Sequence, residues 1–178
     1  MNKTEKFNGV IKTIEFARKN KIPYLGLCYG MQLMVIEHAR NVLGWKDATT
    51  SEITTDSSHL VIDIMPDQKK KIAHGDYGGS MRLGMYPARL KEDTIAYESY
   101  SEQFELFRDS LKSRIKIYKS GQLTISERHR HRYEVNPKYI QKIEKAGLVF
   151  SGTSPDGTLM EIVELPKDKH PFFLGTQF

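Results

Sequence analysis

One cysteine and one tryptophan stand among 178 residues. A lone thiol excludes an internal disulfide and fits a reducing cytosol, so the chain reads as cytoplasmic. His38, His59, His74 and His170 are scattered without metal-ligand spacing, and a single cysteine argues against a zinc site. No apolar run approaches the roughly 20 residues a membrane span needs, and Met1 to Lys6 has no signal-peptide core, so no membrane partner is expected. Internal repeats and low-complexity runs are also missing. What remains is ordinary for one soluble domain with a real core: 39% hydrophobic and 28% charged residues. The net charge of +5 is modest and is read as a solvated surface.

Periodicity orders the chain. Residues 7–19 form an amphipathic helix with Phe7, Val10, Ile11, Ile14 and Ala17 on one stripe. Pro23 to Leu27 is a short buried strand, and Met31, Met34, Val35, Ala39, Val42 and Leu43 then recur at helical spacing to about Gly44. A polar loop over 45–60 precedes a strand from Val61 to Met65, ended by Pro66, and Lys69 to Lys71 is an exposed turn. A hairpin is expected from Met81–Tyr86 and Thr94–Tyr97, then a helix over 101–118 with Phe104, Phe107, Leu111 and Ile115 on one face. Pro137 to Lys145 is another helix, closed by Gly147. The end is β-rich: 147–152, a turn at Ser154–Gly157, 159–165 and 172–178.

The cysteine falls where the first strand turns into its helix. Gly26 and Gly30 flank Cys28 at minus two and plus two, where bulk would block a sharp corner. Such a corner lifts a nucleophile clear of a sheet. The following helix presents backbone N–H groups and a positive end to the sulfur, favouring thiolate. A lone cysteine in an apolar strand is more often a buried small hydrophobe. The paired glycines and the polar Gln32 favour the nucleophile. Residues 128–132, Arg-His-Arg-His-Arg, taken blind suggest a phosphate or nucleic-acid patch. Glu127 and Glu134 beside them argue against nucleic acid. In an extended segment the two histidines and the neighbours of Tyr133 fall on different faces, so His129 and His131 are read as structural, hydrogen-bonded groups.

Leu25-Gly26-Leu27-Cys28-Tyr29-Gly30-Met31-Gln32 resembles the nucleophile motif of class I glutamine amidotransferase domains. Four further stretches, Ala39–Gly44, Gly79–Gly84, Glu127–Glu134 and Ser151–Gly157, are similar to the glutaminase domains of the CTP synthase family. The Met81–Gly84 and Arg128–Arg132 stretches set it apart from the amidotransferases of GMP, carbamoyl phosphate and anthranilate synthesis. The resemblance covers about residue 8 to 178, except 101–122, which reads as a possible insertion with no assigned role.

It implies an α/β, flavodoxin-like fold: a mostly parallel sheet flanked by helices. It also implies that Cys28 attacks the carboxamide carbon of L-glutamine, giving an oxyanion, a γ-glutamyl thioester and ammonia. The Tyr29 amide would serve the oxyanion. Gly30, Met31 and Gln32 would line the glutamine site, with Glu52 on the α-amino group and Arg132 on the α-carboxylate. No cofactor is implied within the chain; ATP and Mg2+ belong to a synthetase domain that would aminate UTP, in an enzyme expected to be a homo-oligomer.

Three departures qualify the resemblance. The family's His-Pro-x-Glu motif would follow Leu174–Phe178; its glycine-rich oxyanion loop, the first strands of the sheet and the synthetase domain would lie upstream; and Ser101 to Gln122 is longer than the corresponding loop of typical members. Residues 1–178 are therefore expected to be a partial amidotransferase domain, truncated at both ends and a poor glutaminase alone. The alternative is a non-catalytic glutamine- or partner-binding remnant.

Overall fold

The computed structural model describes residues 3–64, 81–117 and 121–178. The turn at Lys69–Lys71, Met65, Pro66, His74, and Gly79 and Ser80 of the similar stretch lie outside the described residues.

Helix α1 (Lys3–Lys19) buries Phe7, Ile11, Ile14 and Ala17 of the expected stripe, while Val10 at its edge is exposed. Strand β1 (Tyr24–Leu27) leads into α2 (Tyr29–Asn41), whose residues from Met31 to Ala39 are all buried. So complete a burial includes charge. Glu37 is 0% exposed and accepts from Arg18 Nε at 2.9 Å and Nη2 at 2.8 Å, a two-pronged contact that ties α2 to α1.

Strands β2 (Thr49–Thr50) and β3 (Leu60–Ile64) follow, then β4 (Arg82–Leu90), α3 (Ile95–Leu106), the single turn α4 (Arg108–Leu111) and β5 (Ile115–Ile117). Strands β6 (Leu123–His131) and β7 (Tyr133–Val135) precede a 3-10 turn at Pro137–Tyr139 and α5 (Ile140–Lys145). Strands β8 (Val149–Thr153), β9 (Met160–Glu164) and β10 (Phe173–Thr176) complete the described chain.

The main sheet runs β1-β10-β9-β8-β4-β6-β5, and β2, β3 and β7 form a small second sheet. The sheet is mixed. Only β1 and β10 pair in parallel within it, and every other neighbour is antiparallel, where a mostly parallel sheet was expected. The reason is connection length: a parallel pair needs a crossover, whereas β8 and β9 are joined by the tight Ser154–Gly157 turn. In that turn Gly157 takes φ +75° and its amide donates to the Ser154 carbonyl at 2.8 Å.

Two other expectations also change. Thr94 to Tyr97 opens a helix instead of forming a strand: Thr94 Oγ1 accepts from the Tyr97 amide, and the buried Glu164 carboxylate takes the Ile95 and Ala96 amides at 2.7 and 3.1 Å. Capping of orphan N–H groups by a distant side chain overrides the β propensity of Ile95 and Tyr97. The helix expected over 101–118 ends at Leu106, and its last apolar residue, Ile115, is buried as the start of β5 against β6.

One core lies between α1, α2, the small sheet and one face of the main sheet; a second, around Leu90, Ile95, Leu123, Ile125 and Ile162, lies under α3. Gly175 lets α2 lie directly on β10, since a Cβ there would sit 3.0 Å from the Met31 Cα. That contact sets the height at which the start of α2 leaves the sheet.

Candidate active site

Cys28 occupies the corner between β1 and α2 with φ 49° and ψ −100°, a conformation non-glycine residues rarely hold. Three contacts enforce it. The Cys28 amide donates to the Thr176 carbonyl at 2.7 Å, extending the β1–β10 pairing by one residue. The Tyr24 hydroxyl donates to the Gly30 carbonyl at 2.9 Å across the corner. Gly26 lies under the first turn of α2, where a Cβ would come within 2.7 Å of the Gly30 carbonyl carbon. The glycine at minus two is thus required by close approach.

The half-buried sulfur faces three polar groups. The Tyr29 amide donates to it, the Gln177 side-chain amide lies 3.8 Å away, and the Arg130 carbonyl lies 4.0 Å away. Burial pushes the Cys28 thiol above its ordinary pKa, the Glu134 and Glu52 carboxylates add to this, and the Tyr29 and Gln177 donors oppose it without reversing it. The helix end alone therefore does not deliver the thiolate that the sequence suggested.

The other candidates converge on this corner to different degrees. Tyr29 is exposed, and burial with the charge of Glu52 raises its phenol pKa. Tyr29, Glu52, Phe7 and Leu33 line a shared cavity of about 260 Å³. Glu52 is exposed just after β2, its amide donating to Thr50 Oγ1 at 3.2 Å. Gly30 sits in the first turn of α2, half-buried. Arg132 is half-buried at the break between β6 and β7 and lowers the pKa of the neighbouring Tyr133 phenol, which burial and Glu52 raise.

Two assignments change in kind. Met31 is 0% exposed with its side chain in the core against Gly175, so only its backbone can face a ligand. Gln32 is 3% exposed, and its Nε2 donates to the Tyr133 carbonyl at 3.0 Å and lies 3.5 Å from Gln177 Oε1. Its amide serves the frame of the site.

Under the site lies a charged cluster that sequence reading passed over. Arg82 Nη1 lies 3.1 Å from Glu134 Oε1 and 2.9 Å from Glu161 Oε1, with both carboxylates fully buried. His131 Nε2 joins Glu134 Oε1 at 2.7 Å, as a structural histidine would. His129 departs from that reading. It is 1% exposed and 3.6 Å from Glu161, both ring nitrogens lack hydrogen-bond partners among the described residues, and burial with the Arg82 charge lowers its pKa to about 3. The available signal was alternation: in an extended 128–132 run the histidines face inward and Arg128 and Arg130 face solvent. Among the described residues, no group of acidic, histidine or cysteine side chains could hold a metal ion, and no helix is long and apolar enough to cross a membrane.

A cysteine raised on a strand–helix corner, with a backbone amide turned to its sulfur, is the arrangement that lifts a side chain clear of an α/β sheet. The chain belongs to the family Glutamine amidotransferase class-I, which matches residues 2–178. It is 49% identical over 170 residues to the CTP synthase of Thermobifida fusca and 48% identical to that of Bacillus cereus strain AH820, matches that take in 95% and 96% of this chain. It spans about a quarter of those proteins, 27% of each. Its fold is similar to the Trypanosoma brucei CTPS glutaminase domain solved with acivicin bound, at a TM-score of 0.77 and 35% identity, covering 97% of this chain and 57% of that one. The chain is thus a glutaminase-type amidotransferase domain similar to the one in CTP synthases.

Proposed function

We propose that the chain is the glutamine-hydrolysing portion of an enzyme that aminates UTP to CTP. The observation that carries this is Cys28, held at φ 49° with the Tyr29 amide on its sulfur, inside a chain about half identical to CTP synthases. The sulfur adds to the glutamine carboxamide carbon, and the oxyanion formed is met by backbone N–H, that of Tyr29 among them. Collapse breaks the C–N bond and releases ammonia, leaving a γ-glutamyl thioester that water hydrolyses to glutamate. Arg132 takes the α-carboxylate and Glu52 the α-amino group, which selects free glutamine over a glutamine within a protein.

The ammonia would pass to a synthetase portion where ATP and Mg2+ activate UTP. The whole enzyme is proposed to work in the cytoplasm as a homo-oligomer. Among the described residues, the groups shown against the sulfur are two amide donors and a carbonyl, none of them a base for the thiol. The chain by itself should therefore turn over slowly, since losing one member of a nucleophile–base unit costs on the order of 10⁴-fold. That same observation favours a second reading, in which the chain binds glutamine without hydrolysing it.

The test is covalent labelling by an electrophilic glutamine mimic, followed by an ammonia assay. The first reading expects labelling that glutamine blocks and Cys28→Ala abolishes, together with ammonia release by the full enzyme. Blocked labelling without ammonia from any form of the protein would select the binding module. Labelling that survives Cys28→Ala sinks both.

A further inference from the structure

We infer that Gln177 is a positioning residue for the Cys28 nucleophile, its side-chain N–H fixed toward the sulfur by a one-way chain of amides that starts at the Tyr133 carbonyl. The inference rests on the reading of Cys28 as the nucleophile. An amide side chain has an acceptor end and a donor end of the same shape, and only its partners decide which faces where. Here the first partner leaves no choice. The Tyr133 backbone carbonyl can only accept, so the end of Gln32 that lies 3.0 Å from it must be the NH2 group. The same NH2 group lies 3.5 Å from Gln177, a reach that admits only a weak contact, yet it turns the Gln177 oxygen inward. The Gln177 NH2 group is then the end 3.8 Å from Cys28 Sγ, within range for a sulfur acceptor.

Both amides are shut away from water, Gln32 at 3% and Gln177 at 0% exposure, so solvent cannot compete for either end. The Gln177 backbone is fixed as well, its N–H donating to the Glu161 carbonyl at 2.8 Å. A donor turned to sulfur favours thiolate over thiol. Among the described residues, the other charged or titratable groups shown at this corner are the Glu52 and Glu134 carboxylates and the Tyr24 and Tyr29 phenols, with Arg132 and Tyr133 close to Glu52. Both carboxylates work against the thiolate. With the Tyr29 amide, Gln177 is the counterweight. Because its orientation is set from Tyr133, next to Arg132, the same short segment would link the proposed glutamine carboxylate contact to the nucleophile.

The test is the pH dependence of Cys28 alkylation by iodoacetamide, which reads thiolate without needing turnover. In the 178-residue chain this is the only cysteine, so uptake reports on it alone. Gln177→Glu keeps the shape and replaces the donor with a carboxyl; Gln177→Met removes donor and acceptor without adding charge. Both should move the midpoint of the alkylation profile to higher pH, Gln177→Glu by about one unit or more, a roughly tenfold slower reaction at pH 7. Gln32→Met, which removes the orienting link, should move it in the same direction by less.

Unchanged midpoints in Gln177→Glu and Gln177→Met, with cooperative melts retained, would overturn the inference. If Gln177→Glu does not fold, Gln177→Met decides. Failure of the wild-type chain to take the electrophilic glutamine mimic would instead count against the proposed function, and would leave the alkylation midpoints to be judged separately.

Discussion

The Tyr24 hydroxyl spans the corner that carries Cys28, donating to the Gly30 carbonyl at 2.9 Å from the strand that precedes the turn to the helix that follows it. Burial with the nearby Glu37 charge pushes its phenol pKa up to about 12, so it remains a donor throughout the physiological range. Tyr24→Phe removes this bond and leaves a partly buried carbonyl with one acceptor site unused. We expect a loss of about 1–2 kcal/mol in chemical denaturation, and slower labelling of Cys28 as the corner loosens.

Gly26→Ala acts on the same corner through volume. Its Cβ would meet the Gly30 carbonyl carbon at 2.7 Å and the Tyr24 hydroxyl at 2.7 Å. The hydroxyl can move but the backbone cannot without shifting the first turn of α2. The expected result is overpacking costing about 1–3 kcal/mol, and loss of labelling by the glutamine mimic exceeding that of Tyr24→Phe. Wild-type labelling in Gly26→Ala would show that the corner tolerates a displaced helix.

The corner was legible in the sequence because its requirements are local. Two glycines at fixed offsets and a change of hydrophobic period are properties of ten consecutive residues. The frame around it was not legible, because it is assembled from distant positions. Gln32 meets Gln177 across 145 residues, and Arg82 meets Glu134 across 52. The same limit explains α3, whose first amides are capped by Glu164, nearly 70 residues further on. The mixed sheet was missed for another reason. The apolar runs of β8, β9 and β10 state that strands exist, and pairing direction depends on connections that periodicity does not encode.

Two buried histidines make the fold sensitive to acid. Burial, with Arg18 nearby, lowers the pKa of His38 to about 4, and His129 is lowered to about 3. Unfolded, each titrates near 6.5. Between that value and the folded ones the unfolded chain binds protons that the folded chain refuses, so stability falls as pH drops. The two together should remove about 3–4 kcal/mol between pH 7 and pH 5, read by denaturant unfolding at each pH. A backbone contact with Ala146 opposes the His38 shift without reversing it, and His38→Leu, which keeps the buried bulk, should lose about half of that dependence. An unchanged slope in His38→Leu would mean that this histidine is protonated in the folded state.

Arg132 is proposed to hold the α-carboxylate of glutamine, and its removal should show in binding before it shows in chemistry. A charge-assisted contact of this kind is worth about 1.5–3 kcal/mol. Arg132→Ala should therefore raise the glutamine concentration needed to protect Cys28 from labelling by roughly 10- to 150-fold. Arg132→Lys should recover only part of it, since an ammonium lacks the paired donors. Protection at the wild-type concentration in Arg132→Ala would remove Arg132 from the glutamine site.

Arg82 reaches both Glu134 and Glu161, two carboxylates with no solvent exposure. Their burial raises the Glu161 pKa, and the guanidinium holds that rise in check. Arg82→Met keeps the length of the side chain and deletes the charge, leaving two like charges facing each other in the core. The expected cost is about 3–5 kcal/mol, and Arg82→Met combined with Glu161→Gln should recover a large part of it by removing one of the opposed charges. An acid whose folded pKa lies above its unfolded one stabilises only while protonated, so Arg82→Met should lose less stability than wild type as pH falls toward 5. The loss should also reach the nucleophile. Glu134 already opposes the Cys28 thiolate, and without Arg82 its charge is less neutralised. Alkylation of Cys28 in Arg82→Met should therefore need a higher pH than in wild type. A midpoint that stays in place despite the lost stability would separate the charged cluster from the chemistry above it.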